Sequence, residues 1–139
     1  MKKLAIVLAG VAIGSLVQAD NLVGIDRIIC AAGRVQICIE SDTCYSATAA
    51  ELDVPEFVLI DIKNKVISTT PASDRNRSTS FNRVEASDGQ IYLQGIEGGR
   101  AFSFVIDEAS GHMTVSIARD GIAISVFGAC TDTNLWRAL

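Results

Sequence analysis

The sequence predicts an all-β domain: an antiparallel meander of about eight strands, closed as a small barrel or stacked as a sandwich and stabilised by disulfides. Two observations carry that expectation and a third bounds it. From Ser80 onward apolar and polar residues alternate with period two, and turn signals interrupt them at Asp88-Gly89, Gly98-Gly99, Ser110-Gly111 and Asp120-Gly121; such alternation is the strand signal, and Asp-Gly is a strong hairpin signal. Four cysteines, an even number, follow an export-like N-terminus, the usual mark of a disulfide framework. The chain has 139 residues, 49% of them hydrophobic and 20% charged. That is enough apolar area for one core, too little length for two ordinary domains, and too few charges for disorder.

The N-terminus falls into three pieces. Met1-Lys2-Lys3 is basic, residues 4–13 are apolar apart from Gly10, and Val17-Gln18-Ala19 ends in a small residue. Residues 1–19 therefore read as a secretory signal peptide, and residues 20–139 as a single β domain with a short C-terminal tail from about 131. The apolar run is shorter than the roughly 20 residues a bilayer span requires, so no membrane span is expected after cleavage. No cysteine follows Ala19 directly, which argues against lipid modification. A periplasmic or secreted location follows.

Within the domain, residues 22–31 and 34–40 read as two strands around Ala32-Gly33, and residues 57–62 and 65–70 as a second pair around Lys63-Asn64. Residues 48–54 form a helical turn or a link, ended by Pro55. The polar stretch 71–79 is the longest expected loop. In the last strands the period-two arithmetic groups Phe102, Phe104 and Ile106, then Met113, Val115 and Ile117, then Ile122, Ile124 and Val126; these nine side chains form the expected core. The tail carries Leu135, Trp136 and Leu139, apolar enough to dock back on the domain or meet a partner.

All four cysteines, Cys30, Cys38, Cys44 and Cys130, lie in the mature part. Their spacings do not match the close ligand pairs of zinc motifs, and His112 is the only histidine with no cysteine near it in sequence, so two disulfides are expected and no metal or cofactor. Three pairings exist. Cys38 and Cys44 flank a short segment with a Ser-Asp centre suited to a turn, which leaves Cys30 with Cys130. That second bridge closes a loop of about 100 residues, worth roughly 4 to 5 kcal/mol in the chain-entropy view.

Charge restricts the partners. The chain carries a net charge of −4, and removing Lys2 and Lys3 with the leader leaves ten basic against sixteen acidic residues, a net of −6. Nucleic acid is a poor partner, because affinity for phosphate backbones comes from clustered cations. The densest basic stretch, Arg75, Arg77 and Arg83, reads as a solvated loop. His112, with Asp107, Glu108 and Ser110 close in sequence, is the candidate for acid/base chemistry; polar residues crowded into one turn read more simply as turn chemistry, and a hydrolytic triad needs a nucleophile held by distant parts of a fold. None of the sixteen acids stands out as a glycosidase pair. The outward face of the last strands is small and hydroxyl-rich, with Ser103, Thr114, Ser116, Ala118, Ala123 and Ser125, an ordinary solvated exterior.

The layout of leader, cysteines clustered between Cys30 and Cys44, β-meander and terminal Phe127-Gly128-Ala129-Cys130 resembles small uncharacterised exported proteins of proteobacteria. That resemblance implies location and fold class. A second likeness is to the C-type lysozyme inhibitors, small disulfide-closed barrels whose inhibitory loop carries a Ser-Gly segment. Ala109-Ser110-Gly111 is similar in letters, although His112-Met113 stands where a basic residue and a tyrosine are expected. The turn Ala109, Ser110, Gly111 and His112 is thus the candidate inhibitory or binding turn. The functional expectation is a non-catalytic exported β domain that binds a ligand or envelope protein, with an inhibitor of lysozyme or another envelope-directed enzyme, and a hydrolase using His112, as alternatives.

Overall fold

The computed structural model describes residues 21–134; the signal-peptide reading of 1–19 and the apolar tail residues Leu135, Trp136 and Leu139 fall outside them. Ten strands alternate with turns: β1 (Arg27–Ile39), β2 (Tyr45–Ala47), β3 (Phe57–Asp61), β4 (Val66–Thr69), β5 (Ser78–Ser80), β6 (Arg83–Ser87), β7 (Gln90–Glu97), β8 (Arg100–Asp107), β9 (His112–Arg119) and β10 (Ile122–Asp132). No helix is long and apolar enough to cross a membrane among these residues.

Nine strands form one antiparallel sheet in the order β5-β4-β3-β1-β10-β9-β8-β7-β6, and β2 pairs with β1 off that path. The sheet curls into a half-barrel. The edges β5 and β6 are consecutive in the chain, and two adjacent residues join them. Phe81 N–H donates to the Lys65 carbonyl beside β4 at 3.0 Å, while Asn82 N–H donates to the Gln94 carbonyl of β7 at 2.9 Å. These bonds carry the β4–β5 and β6–β7 pairings into the junction between the two edge strands.

The C-terminal meander follows the sequence pattern closely. Asp88-Gly89 and Gly98-Gly99 both hold positive φ at their two central positions, the backbone twist that matches tight hairpins. Phe104, Ile106, Met113, Val115 and Val126 are buried as the alternation requires, and Phe102, Ile117 and Ile124 are half-buried against them. Ile122, in the first position of β10, is only half-buried and lies outside that cluster. Cys130 joins the cluster, and the rest of the core comes from earlier in the chain: Leu22, Ile28, Cys30, Val35, Ile60, Phe81, Ile91 and Leu93.

The N-terminal half corrects the expectation: β1 starts only at Arg27, β2 adds a short strand at Tyr45–Ala47, and the expected loop 71–79 gives way to β5 from Ser78. Residues 22–31 and 34–40 are not a hairpin pair, because Arg27–Ile39 is a single strand paired with β10 along its whole length. Ala32 faces Gly128 and Arg34 faces Phe127, so Gly33 is an unpaired extra residue, a β-bulge. Its physical reason is parity. Ile28 and Cys30 point inward before the bulge and Val35 and Ile37 inward after it, an odd spacing that an unbroken strand cannot produce. A Cβ at Gly33 would lie 3.2 Å from the Phe127 carbonyl oxygen, so glycine suits the close approach.

Both disulfides join the cysteines as expected. Cys30 and Cys130 are directly opposed on β1 and β10, 4.0 Å apart at Cα, and both are buried. Cys38 and Cys44 close the short connection into β2, 4.1 Å apart at Cα.

Candidate functional site

The two ends of the half-barrel differ. One end carries the turn singled out in sequence. Asp107 ends β8 and His112 starts β9, so Glu108, Ala109, Ser110 and Gly111 form the connection. Asp107 Oδ1 accepts from both Ser110 N–H and Ser110 Oγ–H at 2.8 Å, and Gln90 Nε2 donates to Oδ2 at 2.8 Å. These bonds, the Ser110 hydroxyl first and its N–H second, hold the Asp107 carboxyl below the usual carboxylate range, since each stabilises the charged form. The main chain is pinned as well: Glu108 O accepts from Leu22 N–H at 2.7 Å, and Gly111 O from Cys130 N–H at 2.7 Å. Gly111 has φ +71, and a Cβ there would run into the Cys130 carbonyl.

Ser110 Oγ also accepts from His112 N–H at 3.2 Å. Its own proton goes to Asp107, and the His112 ring makes no hydrogen bond among the described residues. The cluster is therefore a closed turn, with the serine serving the carboxylate. Among the described residues no group of three His, Cys, Asp or Glu side chains is placed to hold a metal ion.

The opposite end is open. A cavity of about 130 Å³ lies between the sheet and two covering segments. Its apolar walls include Val58, Ile67, Phe102, Phe104 and Ile117, and its rim includes Asp53, Arg77, Thr79, Glu97 and Arg100. Phe102 builds one wall because Gly95, directly opposite on β7, has no side chain: the ring occupies the space a Cβ would need. Phe102 and Phe104 meet edge to face, 5.9 Å between centroids, a favoured aromatic geometry.

The covering segments are tied to each other. Thr48 and Glu51 form a reciprocal cap, in which Glu51 Oε2 accepts from Thr48 N–H at 2.6 Å and Thr48 Oγ1 accepts from Glu51 N–H at 3.3 Å. This single capped turn is the form that residues 48–54 take; the Thr48 N–H, then its hydroxyl, hold the Glu51 carboxyl low. Asp53 follows with φ +56, uncommon for a residue other than glycine. Its carboxylate pairs with Arg75 and, at 3.9 Å, with Arg77, and its carbonyl accepts from both guanidiniums at 3.3 and 3.2 Å. Residues 70–77 are thus fastened to residues 48–55 at the cavity mouth. The polar stretch read as a solvated loop has a definite partner in Asp53, whereas Arg83 sits apart on β6, paired with Glu85 at 2.9 Å.

Glu97 and Arg100 face each other across the β7–β8 hairpin. Glu97 is engaged elsewhere, by the Thr79 hydroxyl on one oxygen and by Arg77 Nη2 at 3.9 Å on the other. Arg100 makes no ion pair among the described residues, and its buried Nε has no hydrogen-bond partner. A buried donor left without a partner costs about 1–3 kcal/mol. Arg100 was legible in sequence: it is in phase with Phe102, Phe104 and Ile106, so period two sends it inward, as it sends Glu97 inward in phase with Ile91 and Leu93. The covering segments have no such signal, because ion pairs between loops follow no period.

On the outer face, pairing aligns Ser103, Ser116, Ser125, Gln36 and Ser46 in one row across β8, β9, β10, β1 and β2. Ala101, Ala118 and Ala123 form the next row. On the other side of the serine row Arg34 stacks on the Phe127 ring, 5.0 Å from its centroid. Comparison with known protein families, with curated proteins and with solved structures finds no match for this chain.

Proposed function

We propose that this chain is a non-catalytic, exported β domain that takes a small, largely apolar ligand at the open end of its half-barrel. The observation that supports the reading is the cavity of about 130 Å³ walled by Val58, Ile67, Phe102, Phe104 and Ile117. The rest of the interior is filled by a continuous cluster of buried side chains, and densely packed interiors hold few voids larger than a water. A concave apolar space with a few convergent polar groups is the usual form of a ligand site. A volume near that of the roughly 150 Å³ cavity known to accept benzene fits a single ring or a short acyl chain.

Two disulfides suit an oxidising compartment;. With the leader-like residues 1–19 they support the periplasm or the extracellular medium as the place of action. Mature protein recovered from the envelope should begin at Asp20, and an intact Met1 terminus would refute the export reading. The binding reading is tested with benzyl alcohol, a neutral probe of one ring, titrated into the chain and followed by NMR. Saturable shifts at Phe102, Phe104 and Ile117 are expected; their absence overturns it.

The turn supports a second reading, inhibition of lysozyme or another envelope-directed enzyme. Ala109 and Ser110 are exposed on a loop held rigid by Asp107, and a preorganised loop loses little entropy on docking. An acidic chain also speeds encounter with a basic enzyme. Unchanged lysozyme activity in a molar excess of the protein would dismiss this reading.

A further inference from the structure

We infer that the ligand taken at the cavity is a monocarboxylate, with its apolar body against Phe102, Phe104 and Ile117 and its carboxylate on the Arg100 guanidinium. The inference rests on the binding reading above and adds the chemistry of the ligand's head. Charge accounting at the mouth supports it. Asp53 is neutralised by Arg75 and Arg77, and Glu97 by Arg77 together with the Thr79 hydroxyl. Arg100 is the cation left over among the residues of the rim.

Position supports it too. Arg100 lines the cavity together with the two phenylalanines that follow it in phase on β8, so a molecule lying on those rings brings its polar end to the guanidinium. The buried Nε lacks a partner and is closed to an incoming ligand, so a carboxylate meets the terminal Nη edge of the guanidinium, whose two N–H groups match its two oxygens in parallel hydrogen bonds. The rim also selects charge. With Asp53 and Glu97 already paired, the rim holds one uncompensated cation in Arg100, which matches a single negative charge and leaves the second charge of a phosphate monoester without a partner. The net negative charge of the whole chain acts weakly at this point, because the Debye length is about 8 Å at physiological ionic strength.

The test compares three one-ring probes on the full mature chain by NMR titration: benzoate, the isosteric neutral benzamide, and benzyl alcohol. Benzoate is expected to bind about tenfold or more tighter than benzamide, and to weaken as pH falls through its own pKa. Arg100→Met keeps an apolar stem without charge; it should abolish the preference for benzoate and leave benzamide within about twofold. Arg100→Lys keeps the charge without the fork and should fall between. Amide spectra and thermal unfolding of both variants show that the fold persists. Equal affinity of benzoate and benzamide for the native chain would overturn the carboxylate inference while leaving the cavity reading intact. So would benzoate binding that is unchanged in Arg100→Met. Failure of benzyl alcohol to bind would instead remove the cavity reading, and the inference with it.

Discussion

The two disulfides should contribute unequally, by an amount set by where they sit in the chain. The perturbation is a pair of double variants, Cys30→Ala with Cys130→Ala, and Cys38→Ala with Cys44→Ala. Sequence separations are 100 and 6 residues. In the chain-entropy treatment these loops restrict the unfolded ensemble by about 4.7 and about 2.2 kcal/mol at 25 °C, a difference of about 2.5 kcal/mol. Burial adds to the gap: Cys30 and Cys130 are both inside the core, while Cys38 lies on the outward parity of β1 and Cys44 is exposed. Removing buried sulfur atoms leaves a void that the surroundings refill only in part. With a total stability of about 5–15 kcal/mol for a domain of this size, the Cys30/Cys130 variant should be marginal and the Cys38/Cys44 variant clearly folded. Urea unfolding of oxidised protein, with free energies extrapolated at a common m-value, measures both. Midpoints that give the two variants equal stability, or the short-loop variant the lower one, would refute the argument, because chain constraint would not then be what the long-range bridge supplies.

Three further outcomes follow from the turns and the bulge. Gly111→Ala combines a left-handed backbone with a Cβ driven into the Cys130 carbonyl, whereas Gly89→Ala at φ +75 meets nothing within 4 Å; the first should lose at least about 2 kcal/mol and the second about 1 kcal/mol in thermal unfolding, and equal losses would contradict the steric account. Asp107 has its folded-state pKa depressed, chiefly by the Ser110 hydroxyl, so its contribution to stability is present above the ordinary carboxylate value of about 3.9 and is lost as pH falls through the lower folded value. Ser110→Ala should raise the Asp107 pKa, read from its side-chain carboxyl carbon by NMR, and shrink the acid-side loss of stability; an unmoved titration would disprove the assignment. Deleting Gly33 should leave an unbroken ladder, because Ala32–Gly128 and Arg34–Phe127 are already successive pairs and Ile28, Cys30, Val35 and Ile37 then share one face at even spacing; protein with both native disulfides and β-sheet circular dichroism is expected, and its loss would show that the bulge does more than absorb one inserted residue.

Much of the fold was legible because its signals are local. The alternation through Phe102, Phe104, Ile106, Met113 and Val115 carries strand, face and register together, since side chains two apart on a strand share a face. The Asp88-Gly89 and Gly98-Gly99 hairpins needed only the backbone freedom of adjacent turn residues. The cysteine pairing emerged by elimination once one short turn was assigned. The same period-two arithmetic also points Arg100 inward, so half of the candidate site was present in the sequence as a charge in a core phase.

Tertiary structure decided the rest. Ala32-Gly33 carries the composition of a turn, and only the pairing of Arg27–Ile39 with Ile122–Asp132 shows it as a bulge inside one long strand; local sequence does not distinguish a reversal from an inserted residue, because both use glycine's freedom. Asp53 and Arg75 are 22 residues apart, and no periodicity relates a capped turn to a distant loop. The sequence determined strand phases, turns and the pool of charges, because these follow from neighbours along the chain. Which charge at the mouth went unpaired, and that a cavity lay beneath it, was set by how the sheet curled, since neutralisation and enclosed volume depend on distances through space.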